Sequence, residues 1–445
     1  MKERGTVLVV DGGGRGSALV HKYSQSPHVD KIIAVPGNDW MPKVSEKPVT
    51  IFPQIKTSDV VRIAQLSREL GVNLVDVGQE NAVREGLVNM LKLFKIAAVG
   101  PTREAGRLEW DKEYARVFGD YFKLPQPKYS AFSTEGQAEK FLDFQENNRW
   151  FVKASGLAEG KGAIPATSKQ EVLDAIRKLK KEYPESAKVF LIEQWLEGEE
   201  FSAFAVSDSR NFNILGYGQD HKREYDGDKG ENTGGMGAVS RPLFTNDLEF
   251  QRKVESILTT TINAKPAGGY RGILYLGGMA VKINDKLEPY VIEFNARWGD
   301  PEAQVIVPGL NVDLFEMGME TAKGTLRRIN VSDDGRVRVA VAGVAKGYPR
   351  FKEYSQVQGK EIFGLEEAGK IDGVIIYGAG IKIEDRKHYA NGGRLFYIVG
   401  EGKNVFQARD RAYEAMGKIR IEGNSLHFRK DIGWRDVKRL RQKRA

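Results

Sequence analysis

Tyr290-Val291-Ile292-Glu293-Phe294-Asn295-Ala296-Arg297-Trp298-Gly299-Asp300-Pro301-Glu302 is the stretch on which the fold turns. Its first half reads as a strand. Strand side chains alternate between faces, so Glu293, Asn295 and Arg297 fall on one side and Ile292 and Phe294 on the other. A carboxylate, an amide oxygen and a guanidinium on one face suit a hard cation such as magnesium and the phosphate it carries. Gly299-Asp300-Pro301 closes the strand with turn residues and leaves Asp300 and Glu302 near the same mouth. An edge strand with a solvated polar face would show the same alternation. The rest of the chain has to decide between the two.

Upstream, residues 272–281 form a strand that pairs with this one as a hairpin about Asn284-Asp285. Before it come Gln219-Asp220-His221-Lys222-Arg223 and Asn232-Thr233-Gly234-Gly235-Met236-Gly237, two polar or glycine-rich stretches. Earlier still, a strand at 150–153, a glycine loop at 156–162, a helix at 169–181 and a strand at 189–193 predict a small α+β lid. Lys153 at a strand end and Lys161 in the glycine loop are spaced as a phosphate clamp, one charge fixed and one on a mobile cover. Gly162 follows Lys161, which excludes the P-loop pattern. The run Leu191 to Leu196 into Glu197-Gly198-Glu199-Glu200 could offer backbone groups to an adenine ring and a carboxylate to ribose; alone it reads equally as an acidic hairpin.

At the start of the chain, strands at 7–10, 31–35 and 74–77 alternate with helices at 17–23 and 58–70, which implies right-handed crossovers and a parallel sheet ending near 95–101. Between the first strand and helix lies Asp11-Gly12-Gly13-Gly14-Arg15-Gly16-Ser17, whose missing side chains let backbone N–H groups approach an anion. The second strand ends in Val35-Pro36-Gly37-Asn38, without the acid a dinucleotide fold places there, so a single phosphate group is the preferred ligand over NAD. A tight turn would also need glycine. A helix over 102–116 carries Lys112, and Leu124-Pro125-Gln126-Pro127 marks a boundary. Strands at 336–344, 373–377, 380–383 and 394–399 and a helix at 405–419 suggest a separate, β-rich C-terminal subdomain. The expected division is 1–105, 106–335 with a lid at about 125–195, and 336–445.

Composition narrows the function. At 445 residues, two to four domains are expected. No apolar run reaches the roughly 18 residues of a membrane span, and the first residues lack a secretory h-region, so a cytoplasmic protein without membrane contact is expected. The absence of cysteine excludes disulfides, thiolate metal sites and a cysteine nucleophile. The net charge of +8 is concentrated in Arg435 to Ala445, which reads as a solvated tail, and no nucleic-acid signature accompanies it.

Taken together, the lysine strand, the glycine loop, the Ile192-Glu193 hinge and the Glu293/Asn295 strand resemble the ATP-grasp superfamily, in which ATP lies between two α+β subdomains. Lys153-Ala154-Ser155-Gly156-Leu157-Ala158 into Gly160-Lys161-Gly162, Gln219-Asp220-His221-Lys222, Asn232 to Gly237 and Glu293 to Glu302 are similar, more narrowly, to the phosphoribosylamine–glycine ligase family. The resemblance runs from Gly12 to Arg435.

It implies ATP as co-substrate with Mg2+ (or Mn2+). Glycine and 5-phosphoribosylamine would be joined through a glycyl phosphate to glycinamide ribonucleotide, with release of ADP and phosphate, a step of de novo purine biosynthesis. By the same resemblance Glu293 and Asn295 hold the metal, and Lys112, Lys153 and Lys161 meet the ATP phosphates. Glu193 and Leu196 bracket adenine, Glu200 meets ribose, and Arg297, Asp300 and Asp220 lie at the acyl-phosphate end. Gly13, Gly14, Arg15 and Asn38 meet the sugar phosphate. A monomer or weak homodimer is expected.

The chain departs from the family in its first domain. Gly12 to Ser17 stands where Asn-Gly-Gly-Arg-Glu-His is usual, Asp39-Trp40-Met41 replaces small residues, and Gly78-Gln79-Glu80-Asn81 replaces Gly-Pro-Glu. Trp298 replaces a phenylalanine. Because the first-domain changes fall where the amine is chosen, two alternatives stay open: a carboxylate–amine ligase with another acceptor, and a non-catalytic nucleotide-binding module.

Overall fold

A computed structural model describes residues 5–146, 148–158 and 160–442. The N-terminal basic start, Glu159 of the glycine loop, and the Lys443-Arg444-Ala445 end of the tail lie outside the described residues. The protein is a mixed α/β and α+β multidomain fold: an N-terminal parallel sheet, an ATP-grasp-like antiparallel sheet with its lid, and a β-rich C-terminal part.

The N-terminal sheet has five parallel strands in the order Val49–Ile51, Val29–Ala34, Gly5–Val10, Leu74–Val77, Ala97–Val99. Val49–Ile51 escaped the sequence reading because three residues, two half-buried about an exposed Thr50, are too few for a period to show. The first helix, Gly14–Ser24, starts three residues earlier than expected, at Gly14 and not Ser17. Its cause is Asp11, whose Oδ1 accepts from the backbone N–H of Gly13 (2.6 Å) and Gly16 (3.1 Å). The helix predicted over 102–116 is two, Arg107–Trp110 and Lys112–Tyr121, broken at an extended Asp111.

The central sheet has nine strands, eight of them in the order Lys286–Asn295, Arg271–Ile283, Glu199–Asp208, Phe212–Asp220, Gly237–Ser240, Val337–Ala345, Arg394–Gly402, Val374–Gly378, with Leu426–His427 against Val337–Ala345. Four strands from beyond residue 335 therefore belong to the sheet that carries the Glu293 strand. Only the small sheet Ile381–Glu384, Lys387–Ala390, Glu361–Phe363, Arg420–Ile421 is private to the C-terminal part. One hydrophobic core runs from Leu19 and Tyr23 of the first helix through Trp298 to Val341 and Tyr397. The lid is a four-stranded sheet, Tyr129–Phe132, Phe190–Gln194, Trp150–Ala154, Ala163–Ala166, packed on Lys169–Glu182 around a core of its own.

The described part of the basic tail is helix Trp434–Gln442, not a solvated strand of charge. Arg435 pairs with Asp228 at 2.6 Å, Arg439 pairs with Asp436 at 3.0 Å and with Glu199, and the Leu243 N–H donates to the buried Asp436. Among the described residues no helix is long and apolar enough to cross a membrane.

Candidate nucleotide and carboxylate site

Strand Lys286–Asn295 is the outer strand of the central sheet. Glu293 pairs with Gly277 and Val291 with Gly278, so Ile292 is bulged out of register. The bulge changes the alternation expected from sequence: Ile292, Glu293 and the largely buried Phe294 all border the cavity. Arg116, from the helix Lys112–Tyr121, satisfies the bulge by donating to the carbonyls of Val291 (3.0 Å) and Ile292 (2.7 Å).

The same guanidinium grips Glu193 with two hydrogen bonds of 2.8 and 2.9 Å, and Lys153 reaches Glu193 at 2.7 Å. Burial pushes the Glu193 carboxyl up, but Arg116 and Lys153 outweigh it and hold it at about 2. Glu193 thus offers the cavity a neutralised carboxylate that fixes Lys153. Arg116 was missed in the sequence, because its partners lie 77 and 175 or more positions away.

The cavity, about 280 Å³, lies between lid and central sheet and is lined by Lys112, Lys153, Lys222, Glu193, Leu196, Glu200, Asp220, Glu293, Asn295, Arg297 and Asp300, among others. Lys112 is placed by the helix start: Asp111 Oδ1 accepts from Tyr114 N–H (3.1 Å) and Ser155 Oγ (3.0 Å), and the Lys112 N–H donates to the Ser155 carbonyl at 2.9 Å. One serine therefore stitches the helix to the end of the Lys153 strand. Burial, with Lys153 nearby, lowers the Lys112 ammonium against the pull of Glu293. Burial raises the Glu293 carboxyl, but Lys222, Lys153, Lys112 and Arg297 together hold it below its ordinary value. Among the described residues Glu293 takes no hydrogen bond, and the buried Asn295 Nδ2 has no partner. A free carboxylate and a strand-end amide beside three lysines are donors that a hard cation carrying phosphate can use.

Toward the other end, Lys222 pairs with Glu200 at 3.1 Å. Asp220 is pushed well up by burial, opposed by Lys222 and reinforced by Glu302, Glu200 and Glu293. Glu302 is held in place by Ser202 Oγ (2.8 Å) and Tyr275 Oη (2.7 Å). Arg297 is bracketed by Glu109 (3.0 Å) and Glu80 (3.3 Å) and touches Asn295 Oδ1 at 3.3 Å. Asp300 accepts from Gln304 at 2.8 Å and pairs with Arg394 at 3.4 Å, and Arg394, with Arg15, outweighs burial in keeping it ionised. Glu80, Glu109, Lys222 and Arg394 add to the site's charge balance; Glu80 and Lys222 stood in quoted stretches without a role of their own, and Glu109 and Arg394 did not stand out in the sequence.

Two sets of expected residues lie elsewhere. Lys161 does not line the cavity; its ammonium reaches the Pro349 carbonyl at 3.5 Å. The first loop does not line it either. Asp11 already caps the helix there, where a phosphate was expected, and Arg15 is spent on Asp11 (2.7 Å) and the Trp298 carbonyl (2.7 Å). Asn38 donates to Gly12, Ser17 Oγ and the Gly378 carbonyl, each at 3.1 Å, and accepts from the Trp40 N–H at 3.0 Å. A Cβ on Gly14 would come within 2.3 Å of Tyr397, and one on Gly13 within 3.2 Å of Asp300. The glycines admit neighbouring side chains in this structure, and Gly13, Gly14, Arg15 and Asn38 form a joint between the first and last parts of the chain.

A lid sheet that carries Lys153, set over a strand-end carboxylate and amide of the central sheet, defines an ATP-grasp fold. Residues 5–109, 110–303 and 338–435 match, in turn, the N domain, the ATP-grasp (A) domain and the C domain of phosphoribosylglycinamide synthetase. The phosphoribosylamine–glycine ligase of Caldanaerobacter subterraneus is 34% identical, over 96% of this chain and 99% of the relative. The trifunctional purine biosynthetic protein adenosine-3 of Bos taurus is 36% identical over 99% of this chain, which spans 43% of that longer relative. A crystal structure of the Thermotoga maritima phosphoribosylamine–glycine ligase superposes with a TM-score of 0.74 at 28% identity, covering 96% of this chain and all of that one. The chain belongs to the phosphoribosylglycinamide synthetase family of ATP-grasp ligases.

Proposed function

We propose that this chain joins glycine to 5-phosphoribosylamine at the expense of ATP, giving glycinamide ribonucleotide, ADP and phosphate. The observation that carries the reading is the Glu293 carboxylate, which takes no hydrogen bond among the described residues, set beside the Asn295 amide and opposite Lys112, Lys153 and Lys222 in one cavity, within a chain of this family. Glu293 and Asn295 would hold Mg2+ or Mn2+, which when bound neutralises phosphate charge. Lys112 and Lys153 face the phosphates, Leu196 and the backbone around Glu193 border the adenine, and Glu200 lies at the ribose. A glycine carboxylate oxygen attacks the γ-phosphorus and ADP leaves. The ribosylamine nitrogen then attacks the acyl carbon, phosphate departs and the nitrogen gives up a proton. Such chemistry depends on positioning and charge neutralisation more than on a general base. Arg297, held by two carboxylates, is oriented toward the acyl end with Asp300 and Asp220.

Release of ADP should require glycine and freshly generated phosphoribosylamine together. Glu293→Ala should lower that rate at least about 100-fold, the scale of losing a preorganised charge stabiliser, with an unchanged melting temperature. Normal turnover by the variant, or turnover with another amine in place of phosphoribosylamine, would overturn the reading. The second outcome would favour the divergent acceptor that the filled first loop suggests.

A further inference from the structure

Glu80 lies on the short helix Glu80–Arg84 and is the sole residue of the first 100 that lines the cavity among the described residues. Its Oε2 lies 3.3 Å from Arg297 Nε. Glu109, on the other side of the guanidinium, is saturated: Oε1 takes Arg297 at 3.0 Å and Oε2 takes the Ala296 N–H at 2.7 Å. Glu80 differs. Among the described residues its carboxylate is met only by Arg297 and by its own backbone N–H, and its side chain is 25% exposed, on the cavity wall. Arg297 and Arg15 offset its burial and hold it ionised.

A carboxylate accepts up to about four hydrogen bonds, so this one keeps acceptor capacity facing the cavity that a ligand's N–H groups can use. The cation Glu80 already has beside it leads in the same direction. A guanidinium and a carboxylate about 3 Å apart on one wall present opposite charges at the spacing of the carboxylate and ammonium of an α-amino acid. We propose that Glu80 is a specificity-determining residue that receives the substrate's ammonium group, while Arg297 faces its carboxylate. The substrate class this selects is the zwitterionic amino acid, against hydroxy acids and simple carboxylates of the same size. The inference rests on the ligase reading above. A purely structural Glu80 would hold Arg297 and act on every carboxylate alike.

Glu80→Gln keeps shape and one acceptor and removes the charge. Steady-state ADP release should show the KM for glycine raised about 10- to 100-fold, the range for a charged hydrogen bond left unmade. The KM for ATP and the inhibition constant of glycolate, which carries a hydroxyl in place of the ammonium, should stay within about twofold. Glu80→Asp should recover part of the glycine affinity. Equal weakening of glycine and glycolate in Glu80→Gln would assign Glu80 to positioning Arg297 and overturn the inference while leaving the ligase reading intact. A wild-type protein that turns over ATP with phosphoribosylamine but ignores glycine would overturn both. Loss of fold is excluded by requiring an unchanged ATP KM in the same preparation.

Discussion

Asp76 and His221 are single buried groups whose titrations work against each other. Tyr23 Oη donates to Asp76 Oδ2 at 2.8 Å, yet burial pushes the carboxyl up to about 7. A folded pKa above the unfolded one means that the neutral acid favours the folded state. Its contribution is complete below the unfolded value near pH 4 and is lost as pH rises through 7, a difference on the order of 4 kcal/mol. His221 is the reverse: burial lowers it to about 3, and its Nε2 accepts the Gly433 N–H at 3.1 Å. Its contribution is complete above pH 6.5 and fades as pH falls toward 3; His21, lowered to about 4, adds to it. Asp76→Asn should therefore make the urea midpoint climb more steeply between pH 4.5 and 7.5 than in the parent protein. Parallel curves would mean that Asp76 does not titrate in that window. Neither group was visible in the sequence as more than a strand acid and a motif histidine, since burial is set by neighbours far along the chain.

The elements around the cavity are short, and their ends matter more than their lengths. Asp111 ends one helix, caps the next and receives Ser155, so the start of Lys112–Tyr121 and the exit of the Lys153 strand share one carboxylate. Asp111→Ala should cost about 1 kcal/mol for the cap, read as a lower urea midpoint, and should also raise the KM for ATP several-fold because Lys112 loses its anchor. A stability loss with an unchanged ATP KM would show that Lys112 is placed by other contacts. The parallel first sheet, the lid and the strand that carries Glu293 and Asn295 were legible because each rests on local alternation or glycine punctuation. The bulge at Ile292 and the break at Asp111 were not, because both are fixed by Arg116 and Ser155 arriving from elsewhere. The space the glycines at 13 and 14 leave is approached by Tyr397 and Asp300, nearly 300 residues or more downstream, and nothing local in the sequence points to them.

For the molecule as a whole, the shared core joining Leu19, Trp298 and Tyr397 makes the N- and C-terminal parts one cooperative body, whereas the lid keeps a separate core. Hydrogen exchange should give the amides of Gly5–Val10 and Val337–Ala345 a common opening free energy, with those of Trp150–Ala154 opening at lower cost. Different free energies for the first two segments would contradict a single body. Arg116 is where the two bodies meet, since it holds lid residue Glu193 and the carbonyls of the Glu293 strand at once. In mechanical terms it is a pivot at the root of the lid. A swing about that point moves the outer lid strand Ala163–Ala166 through a long arc and Lys153, bonded to Glu193 beside the pivot, through a short one. Under the function proposed above, such a hinge would open the doorway to nucleotide while Lys153 keeps its place against Glu193.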